Sequence, residues 1–365
     1  MSARTDFVVS GPTVVPDQQL SRTPWPWLFS APVDLAAFSG SALLSLMLLA
    51  WGATSDLLDR DVPEWSWVTC ILLIDVAHVY ATGFRVYFDR QELSRRPWLY
   101  GGTPLVGYFL GVVLYSEGET LFWQVLAYFA VFHFVRQQYG WVALYRSKAG
   151  ETGRLSKWVD MLAIYAATLY PLIYWHAHLP RRFFWFKADD FRALPESLEM
   201  WCWPVYCLAL GLYATTALLR WVRGTPNPGK DLVVVTTAAC WYLGIVAFNS
   251  DYAFTVTNVV IHGVPYMVLV YWYWTRRGSR ANAAGTARWR GVVWFVATIW
   301  VLAYAEELIW DRTIWHENAW LFGAPIGLEP VAETFLVPLL ATPQLSHYIL
   351  DGFIWKRRAN PEFRL

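Results

Sequence analysis

Residues 252–274 read YAFTVTNVVIHGVPYMVLVYWYW, an apolar run that begins directly after Asp251 and ends shortly before two arginines. About 20 mostly apolar residues are enough for a helix to cross the hydrocarbon core of a bilayer. Asn258 and His262 interrupt the run four residues apart, which places them on one face of a helix. Because polar side chains in membrane helices normally face the protein interior, the stretch predicts a membrane-spanning helix with one polar, inward face.

The overall composition agrees with this stretch. Of the 365 residues, 56% are hydrophobic and only 16% are charged, against about 25% charged in an average globular chain. The 24 Trp and 20 Tyr are residue types that collect at membrane–water interfaces. A net charge of +1 gives no basic field for nucleic acid, and the four Cys lie in apolar runs as buried hydrophobes. The composition predicts an all-α, polytopic integral membrane protein.

Ten stretches have the length and apolar character of membrane-spanning helices, or nearly so. They are residues 33–52, 65–88, 98–115, 120–145, 158–178, 200–222, 231–249, 252–274, 289–309 and 331–355. The prolines at positions 338 and 343 predict a kink or break in the tenth span. Gly107 and Gly111 in the third span predict a close helix contact.

The distribution of Lys and Arg predicts the topology. With ten spans and a cytoplasmic N-terminus, 22 of the 29 Lys and Arg fall on the cytoplasmic side and six on the outer side, with Arg136 inside the fourth span. This obeys the positive-inside rule and places both termini in the cytoplasm, in a bacterial-type inner membrane. The predicted parts are a cytoplasmic segment with a Trp/Pro anchor (1–32), one helical membrane domain (33–355) and a basic cytoplasmic tail (356–365).

Two outer features are predicted as well. Glu306 and Glu307 are expected to end the ninth span at the outer surface. The loop 179–199 mixes aromatic residues with both charge signs, which predicts an amphipathic segment that lies on the outer leaflet and packs as a lid or rim outside the hydrocarbon.

Four of the seven histidines lie inside the predicted spans and share one depth. They follow the charged residue at the outer start of their spans by 14, 14, 11 and 14 residues, or roughly 17 to 21 Å of helix. They are His78, His133, His262 and His347. The other three histidines, at positions 176, 178 and 316, are predicted near the outer surface.

Polar residues accompany the four histidines at helical spacing. A metal-bound imidazole needs a partner for its second nitrogen, and neighbours three or four residues away can provide it. The candidates to orient ligands are Asp75, Gln137, Asn258, Gln344 and Asp351. Asp75 could also bind a metal directly, and Arg136 could offset carboxylate charge or hold an anionic oxygen species, so Asp75, Arg136 and Asp351 are the predicted catalytic residues.

Simpler interpretations stay open for these residues. A histidine in a membrane helix often forms a hydrogen bond between helices, and Asp75 with Arg136 could form a buried ion pair. Four tyrosines near the histidines are expected either to line a pocket or to pack as ordinary aromatic residues. They are Tyr80, Tyr139, Tyr266 and Tyr348.

Imidazole ligands suit Zn, Cu, Fe and Ni, whereas Ca²⁺ and Mg²⁺ prefer oxygen and structural zinc prefers Cys. Diheme four-helix cytochromes place two histidines about 13 or 14 residues apart on each of two helices, whereas here each helix carries one. O₂ and isoprenoid or acyl substrates partition into the bilayer, so non-haem iron is the predicted cofactor, with haem or copper as alternatives.

The local sequences are Asp75-Val-Ala-His78-Val-Tyr80, residues 133–140, residues 258–266 and residues 344–351. This set of intramembrane histidines on several helices resembles the Brp/Blh-type membrane carotenoid cleavage dioxygenases in architecture and in histidine number. The resemblance implies iron held by four histidines and a lipid substrate. The two ligands four apart on one helix that are expected in that family are missing here, as are the histidine boxes of membrane desaturases.

The sequence therefore predicts an integral-membrane non-haem iron oxidoreductase, an O₂-dependent oxygenase acting on a lipid-soluble isoprenoid or acyl substrate. Its expected partners are that small molecule and membrane lipids, and the sequence does not identify an electron donor. One alternative is a haem- or quinone-linked electron-transfer protein. Another is a proton-coupled transporter, which would usually show pseudo-symmetric halves with matching broken helices.

Overall fold

The computed structural model describes residues 25–277, residues 285–356 and Asn360. In the helix that starts at residue 285, side chains are described from residue 289 onward. Within these ranges the chain is helical and contains no strand, with 81% helix. Residues 1–24 of the expected N-terminal segment 1–32 lie outside the described residues. The expected basic tail 356–365 also lies outside them, except for Lys356 and Asn360.

A long helix occupies each of the ten stretches named above. The helices are α1 (Ala31–Thr54), α2 (Glu64–Arg85), α3 (Pro97–Glu117), α4 (Glu119–Lys148), α5 (Arg154–Ala177), α6 (Glu196–Val222), α7 (Pro228–Ala247), α8 (Asp251–Arg277), α9 (Gly285–Trp310) and α10 (Pro330–Ile354). Short helices at Arg90–Arg95 and Ala319–Phe322 lie in the connections.

Seven of these helices are long and apolar enough to cross a membrane: α1, α2, α3, α6, α7, α8 and α9. The other three, α4, α5 and α10, have 30, 24 and 25 residues but carry more polar side chains. The prediction of an all-α protein with several membrane-spanning helices is confirmed.

Helix α8 lies at the centre of the bundle. In its apolar window 83% of the residues are buried, against 17–50% in the other six apolar helices. Gly263 allows α2 to approach closely, because a Cβ at this position would lie 2.6 Å from Cγ2 and 3.2 Å from the carbonyl oxygen of Ile74. The backbone of α8 at Gly263 therefore packs directly against Ile74 of α2, which brings the helices of His262 and His78 close together.

Several helices contain wide π-helical turns, which are often found at functional sites. Two of them directly precede histidines of the predicted site: Trp67–Val76 in α2 comes before His78, and Thr255–Val259 in α8 comes before His262. An ideal 3.6-residue period would not reproduce the direction of these side chains, because a π turn changes the phase of the helix that follows.

One end of the bundle carries most of the described Lys and Arg, and we call it the basic end. There Lys230 Nζ lies 2.8 Å from Asp160 and 2.6 Å from Glu151, and Arg146 pairs with both carboxylates. Asp160 and Lys230 are fully buried. Burial alone would raise the pKa of Glu151, but hydrogen bonds from Lys230 and Asn227 lower it. This network joins the end of α4 to the starts of α5 and α7.

A second ion network lies at the basic end. Glu92, fully buried in the short helix after α2, pairs with Arg85 at 3.2 Å and accepts a hydrogen bond from Arg277 at 2.6 Å. Burial opposes ionisation of this carboxyl, but hydrogen bonds from Tyr100 and Arg277 and the charges of both arginines lower the pKa of Glu92 to about 2. Arg85 also donates to the carbonyl of Ile354 at 3.0 Å, so α2, α8 and α10 all end here.

The tenth helix is continuous through Pro338 and Pro343, so the predicted break is wrong. Prolines are tolerated in membrane helices because neighbouring helices and side chains compensate for the lost backbone hydrogen bonds. Gly111 of α3 is the close neighbour, since a Cβ there would lie 2.9 Å from Cβ of Pro338. The predicted close contact of the third span is thus made with α10.

Glu306 and Glu307 do not end the ninth helix at an outer surface. Both are buried, at 5% and 7% exposed, and the helix continues through Trp310 into the wide turn Asp311–Trp315. The prediction was wrong because a pair of carboxylates looks like a surface boundary in the sequence. The structure instead satisfies Glu306 with hydrogen bonds from Tyr80 at 2.5 Å and from Trp310 at 3.1 Å.

The loop 179–199 folds back over the end of the bundle opposite the basic end. Arg181 donates to the carbonyls of Ile245 and Phe248 of the α7 end, and Phe183 stacks on Phe254 of α8 with ring centroids 3.8 Å apart. The loop contains no helix before residue 196. The loop is an irregular cap, in which Phe183 packs inward whereas Phe184 is exposed, and its position at the outer leaflet stays a prediction.

Candidate metal centre

The four predicted histidines meet in the middle of the bundle, and we call them the histidine cluster. All four rings are 3% exposed or less. The Nε2 atoms of His78 and His262 lie 3.2 Å apart, and those of His133 and His347 lie 3.1 Å apart. Ring centroids of His78 and His347 lie 4.9 Å apart, and those of His133 and His262 lie 5.1 Å apart. Four separate helices, α2, α4, α8 and α10, thus direct one imidazole each to a common point.

These separations suit a single metal ion. Zn–N and similar bonds are about 2.0–2.1 Å, so two nitrogens of a tetrahedral site lie about 3.3 Å apart. Ligand atoms of His78, His133 and His347 all lie within 4.8 Å of one another. His262 lies outside this group of three, but its Nε2 atom lies 3.2 Å from that of His78 and is therefore the candidate fourth ligand.

A hydrogen-bonded chain fixes the tautomer of His347. Asp351 accepts from the Tyr266 hydroxyl at 2.6 Å, and an ionised carboxylate can only accept. The Thr82 hydroxyl, 2.9 Å from that of Tyr266 and 2.8 Å from Nδ1 of His347, then donates to Tyr266 and accepts from Nδ1. The proton of His347 therefore sits on Nδ1, and its Nε2 lone pair is free to bind an ion.

Carboxylates lie beside the outward nitrogens of two other rings. Asp75 Oδ1 lies 3.6 Å from Nδ1 of His78, and Asp351 Oδ2 lies 4.0 Å from Nδ1 of His133. Neither carboxylate forms an ion pair with a Lys or Arg among the described residues. The Asp75 and Asp351 side chains are 30% and 11% exposed, and a cation bound by the cluster would offset the cost of their partial burial.

His262 differs from the other three. Its Nδ1 has no hydrogen-bond partner among the described atoms, and the ring of Phe134 lies flat against the imidazole, with centroids 3.5 Å apart. Gln137 donates to the backbone carbonyl of His262 at 2.8 Å and so holds the helix rather than the ring. Asn258 donates to Thr257 and does not reach the imidazole.

The remaining predicted residues are further from the cluster. Arg136 donates to the Tyr165 hydroxyl and lies over the ring of Tyr139, so the alternative of a buried ion pair between Arg136 and Asp75 is wrong. Gln344 is half-buried, and in the described part of the chain no hydrogen bond joins it to His347. Arg136 is exposed, and its side chain contacts Tyr165 of α5 and lines the cavity described below.

Among the four predicted tyrosines, two contact the cluster. Tyr348 stacks on His133 with centroids 4.8 Å apart, and Tyr266 lies 5.0 Å from His347. Tyr80 instead donates to Glu306, and Tyr139 stacks on Tyr165.

Thr82 and Phe134 belong to the site but were not predicted. Thr82 lies four residues after His78, so the same spacing argument that found Asp75 could have found it. Phe134 gives no such signal, because an aromatic residue next to a histidine is ordinary in an apolar helix. His176 and His178 bind backbone carbonyls of their own helix through Nδ1 and lie outside the cluster.

A cavity of about 710 Å³ connects the cluster with the basic end. His133, Tyr348 and Asp351 line one end of it, and Lys157 and Lys356 line the other. Between them the wall is formed mostly by apolar side chains of α4, α5, α8 and α10, with Arg136 and Gln137 near His133. The site therefore has a route by which a partly apolar molecule can reach the imidazoles.

Comparison of the chain with protein-family models, with curated proteins and with solved structures gives no match.

Proposed function

We propose that the histidine cluster binds one non-haem iron ion and that the protein is an O₂-dependent oxygenase acting on a lipid-soluble isoprenoid or acyl substrate. The observation that carries the proposal is the convergence of four buried Nε2 atoms, with separations of 3.1 and 3.2 Å within the two closest pairs. Hydrogen bonding within the pairs His78–His262 and His133–His347 would not require the two pairs to lie together, yet ligand atoms of His78, His133 and His347 all lie within 4.8 Å of one another.

The donor set favours iron over other ions. Four neutral imidazoles with carboxylates nearby suit Fe, Cu or Zn, and no Cys lies among the donors. When bound, iron would supply binding and activation of O₂, because it accepts more than four ligands and keeps positions open in such a set. The cavity beside His133 gives an apolar molecule access to the same point.

The residues around the cluster have distinct tasks in this proposal. Thr82, Tyr266 and Asp351 hold the proton of His347 on Nδ1. Asp75, whose Oδ1 lies 3.6 Å from Nδ1 of His78, would orient that ring or bind the ion directly, and its charge would offset that of the ion. Phe134 and the apolar wall exclude water from the imidazoles.

We also propose ten membrane spans with both termini in the cytoplasm of a bacterial-type inner membrane. Helices α4, α5 and α10 are long enough to cross and pack alongside the seven more apolar helices. Their lower hydropathy follows from the polar residues that they contribute to the site and to the ion networks. The alternation of helix directions also collects Lys and Arg at one end, as the positive-inside rule requires.

A haem cofactor fits the cluster less well than an ion does. Two imidazoles that bind one haem iron lie on opposite faces of a wide macrocycle. Nε2 atoms 3.1 and 3.2 Å apart, surrounded by packed helices, leave no room for a porphyrin between the rings.

Proton-coupled transport is the second candidate, and buried carboxyls favour it. Glu306, Glu307 and Asp311 are all at least nine-tenths buried on the helix that packs against α2. Together with Asp75 they form an acidic series beside the cluster, which is typical of proton relays in membrane proteins.

Metal analysis and a visible absorption spectrum of the purified protein test the proposal. We expect about one iron per chain, no Soret band, and O₂ consumption when a lipid substrate is supplied. A Soret band would establish the haem alternative. A protein free of metal after gentle purification would favour the transporter, and stoichiometric zinc or copper would exclude the iron assignment.

Replacement of Asp351 by Asn should weaken iron binding about 10- to 100-fold, because partners of ligand imidazoles typically contribute that much. The change keeps the shape of the side chain but removes the charge that accepts from Tyr266 and Trp355. Competition with a calibrated chelator measures the affinity.

Asp190→Asn is the matched control for this measurement. Asp190 is a buried carboxylate that accepts three backbone hydrogen bonds in the loop far from the cluster. Iron affinity that falls equally in both variants would contradict a direct role for Asp351.

A further inference from the structure

The cavity that reaches the histidine cluster has two different ends. At its inner end lie His133 and Tyr348, and its middle is walled by side chains such as Trp141, Leu269 and Trp355. Its outer end opens at the basic end of the bundle, where α4 and α10 finish and α5 begins. A molecule that fills this space is apolar along most of its length.

The depth of the cavity follows from the helices that line it. On α10, Lys356 follows His347 by nine residues, which is about 14 Å of helix. On α4, Arg146 follows His133 by 13 residues, or about 20 Å. A long alkyl or isoprenoid chain with its head at the basic end therefore reaches the imidazoles.

The charges at the outer end are unbalanced. The carboxylates of Glu151 and Asp160 that line the cavity are already paired with Arg146 and Lys230. Lys157 and Lys356 are exposed, and neither has a carboxylate partner among the described residues. Lys356 lies over the ring of Phe353, which leaves its charge unneutralised, so two ammonium groups without a described carboxylate partner lie at the mouth of a mostly apolar cavity and form a site for a negative charge.

We infer that the cavity binds a single-chain lipid with an anionic head, with the carboxylate or phosphate at Lys157 and Lys356 and the chain directed at the histidine cluster. The lipid bound in this way is a substrate only if the proposed oxygenase function is correct, so the inference rests on that function. A neutral isoprenoid would leave both lysines without a partner. The apolar chain of the lipid, not its head group, then lies next to the histidine cluster.

Photo-labelling in nanodiscs of zwitterionic phosphatidylcholine tests the inference. Palmitate with a diazirine at the far end of its chain is compared with the matching alcohol and the matching alkyl phosphate, and labelled peptides are mapped by mass spectrometry. We expect palmitate or the alkyl phosphate to label residues around His133 and Tyr348, and the alcohol to label them about 5- to 30-fold less, as two charge pairs allow. The acid and the phosphate arms distinguish the two kinds of head.

Charge variants locate the head. The double variant Lys157→Gln and Lys356→Gln should lose the preference for the anionic lipids, whereas Arg154→Gln should keep it. Arg154 lies one turn before Lys157 on α5 but does not line the cavity. Equal labelling by acid, phosphate and alcohol, or an unchanged preference in the double variant, would overturn the inference, as would loss of the preference on Arg136→Gln alone.

The labelling is independent of the metal, so the two proposals fail separately. Iron content is measured on the same samples. Selective labelling of a protein without iron would support the lipid site and contradict the oxygenase proposal. Unselective labelling of a protein that contains iron would contradict the lipid site and leave the oxygenase proposal supported.

Discussion

Replacing any one of His78, His133, His262 and His347 by Ala removes most of the iron from the purified protein. The reason is geometric: with one of the four converging nitrogens gone, the remaining three leave the ion open on one side and poorly oriented. The loss is expected for each position alone, because each ring would contribute one of the four nitrogens that hold the ion. Elemental analysis of the wild type beside the four variants makes the comparison.

Two histidines outside the cluster provide the control. His178→Ala removes a half-buried ring that is bonded to the carbonyl of Tyr174, and His316→Asn replaces an exposed ring at a positive φ of 60° that Asn tolerates. Both variants should keep the iron content of the wild type. Identical metal content in all variants, cluster and control alike, would show that the four imidazoles do not form one centre.

Replacing Asp160 by Asn should destabilise the protein by about 3–5 kcal/mol, the usual cost of removing one partner from a buried ion pair. Asp160 is fully buried and lies between Arg146 and Lys230, with Arg220 3.6 Å away. In the variant, Arg146 and Lys230 keep only the carboxylate of Glu151, although both cations are buried. Equilibrium unfolding in mixed detergent micelles measures the difference.

The exposed pair of Arg182 and Asp59 is the matched comparison. The two groups lie 2.8 Å apart, but the Asp59 side chain is 84% exposed. Asp59→Asn should therefore change stability by less than about 1 kcal/mol, as is usual for surface pairs. A similar loss in both variants would mean that burial does not set the strength of the network at the basic end.

The sequence was sufficient for much of the fold because membrane helices follow simple physical rules. The length of the apolar stretches was enough to predict a helix at each of ten positions. The number of residues from the first charged residue of each span predicted that the four histidines share one depth. This worked because α2, α4, α8 and α10 run in the same direction, so a residue count from the flank measures the same axis in each helix.

The remaining features depend on contacts between distant residues. Glu306 is buried because Tyr80 of α2 donates to it, and no local pattern reveals that partner. The tenth helix passes through Pro338 because Gly111 of α3 packs there. In the loop 179–199, Phe183 packs on Phe254 of α8 and Trp185 packs on Phe134 of α4, and the composition of the loop alone does not identify these partners.

The burial of α8 on nearly all sides has a consequence for biogenesis. Chains are inserted from the N-terminus, so in the proposed ten-span arrangement α1 to α7 would enter the bilayer before the helix around which they pack. Those seven helices must stay open, or rearrange, until α8 takes its central position, and the bundle closes only when α10 follows. Because His262 and His347 arrive on these late helices, maturation of the centre belongs to the last stage of assembly, after synthesis of nearly the whole chain.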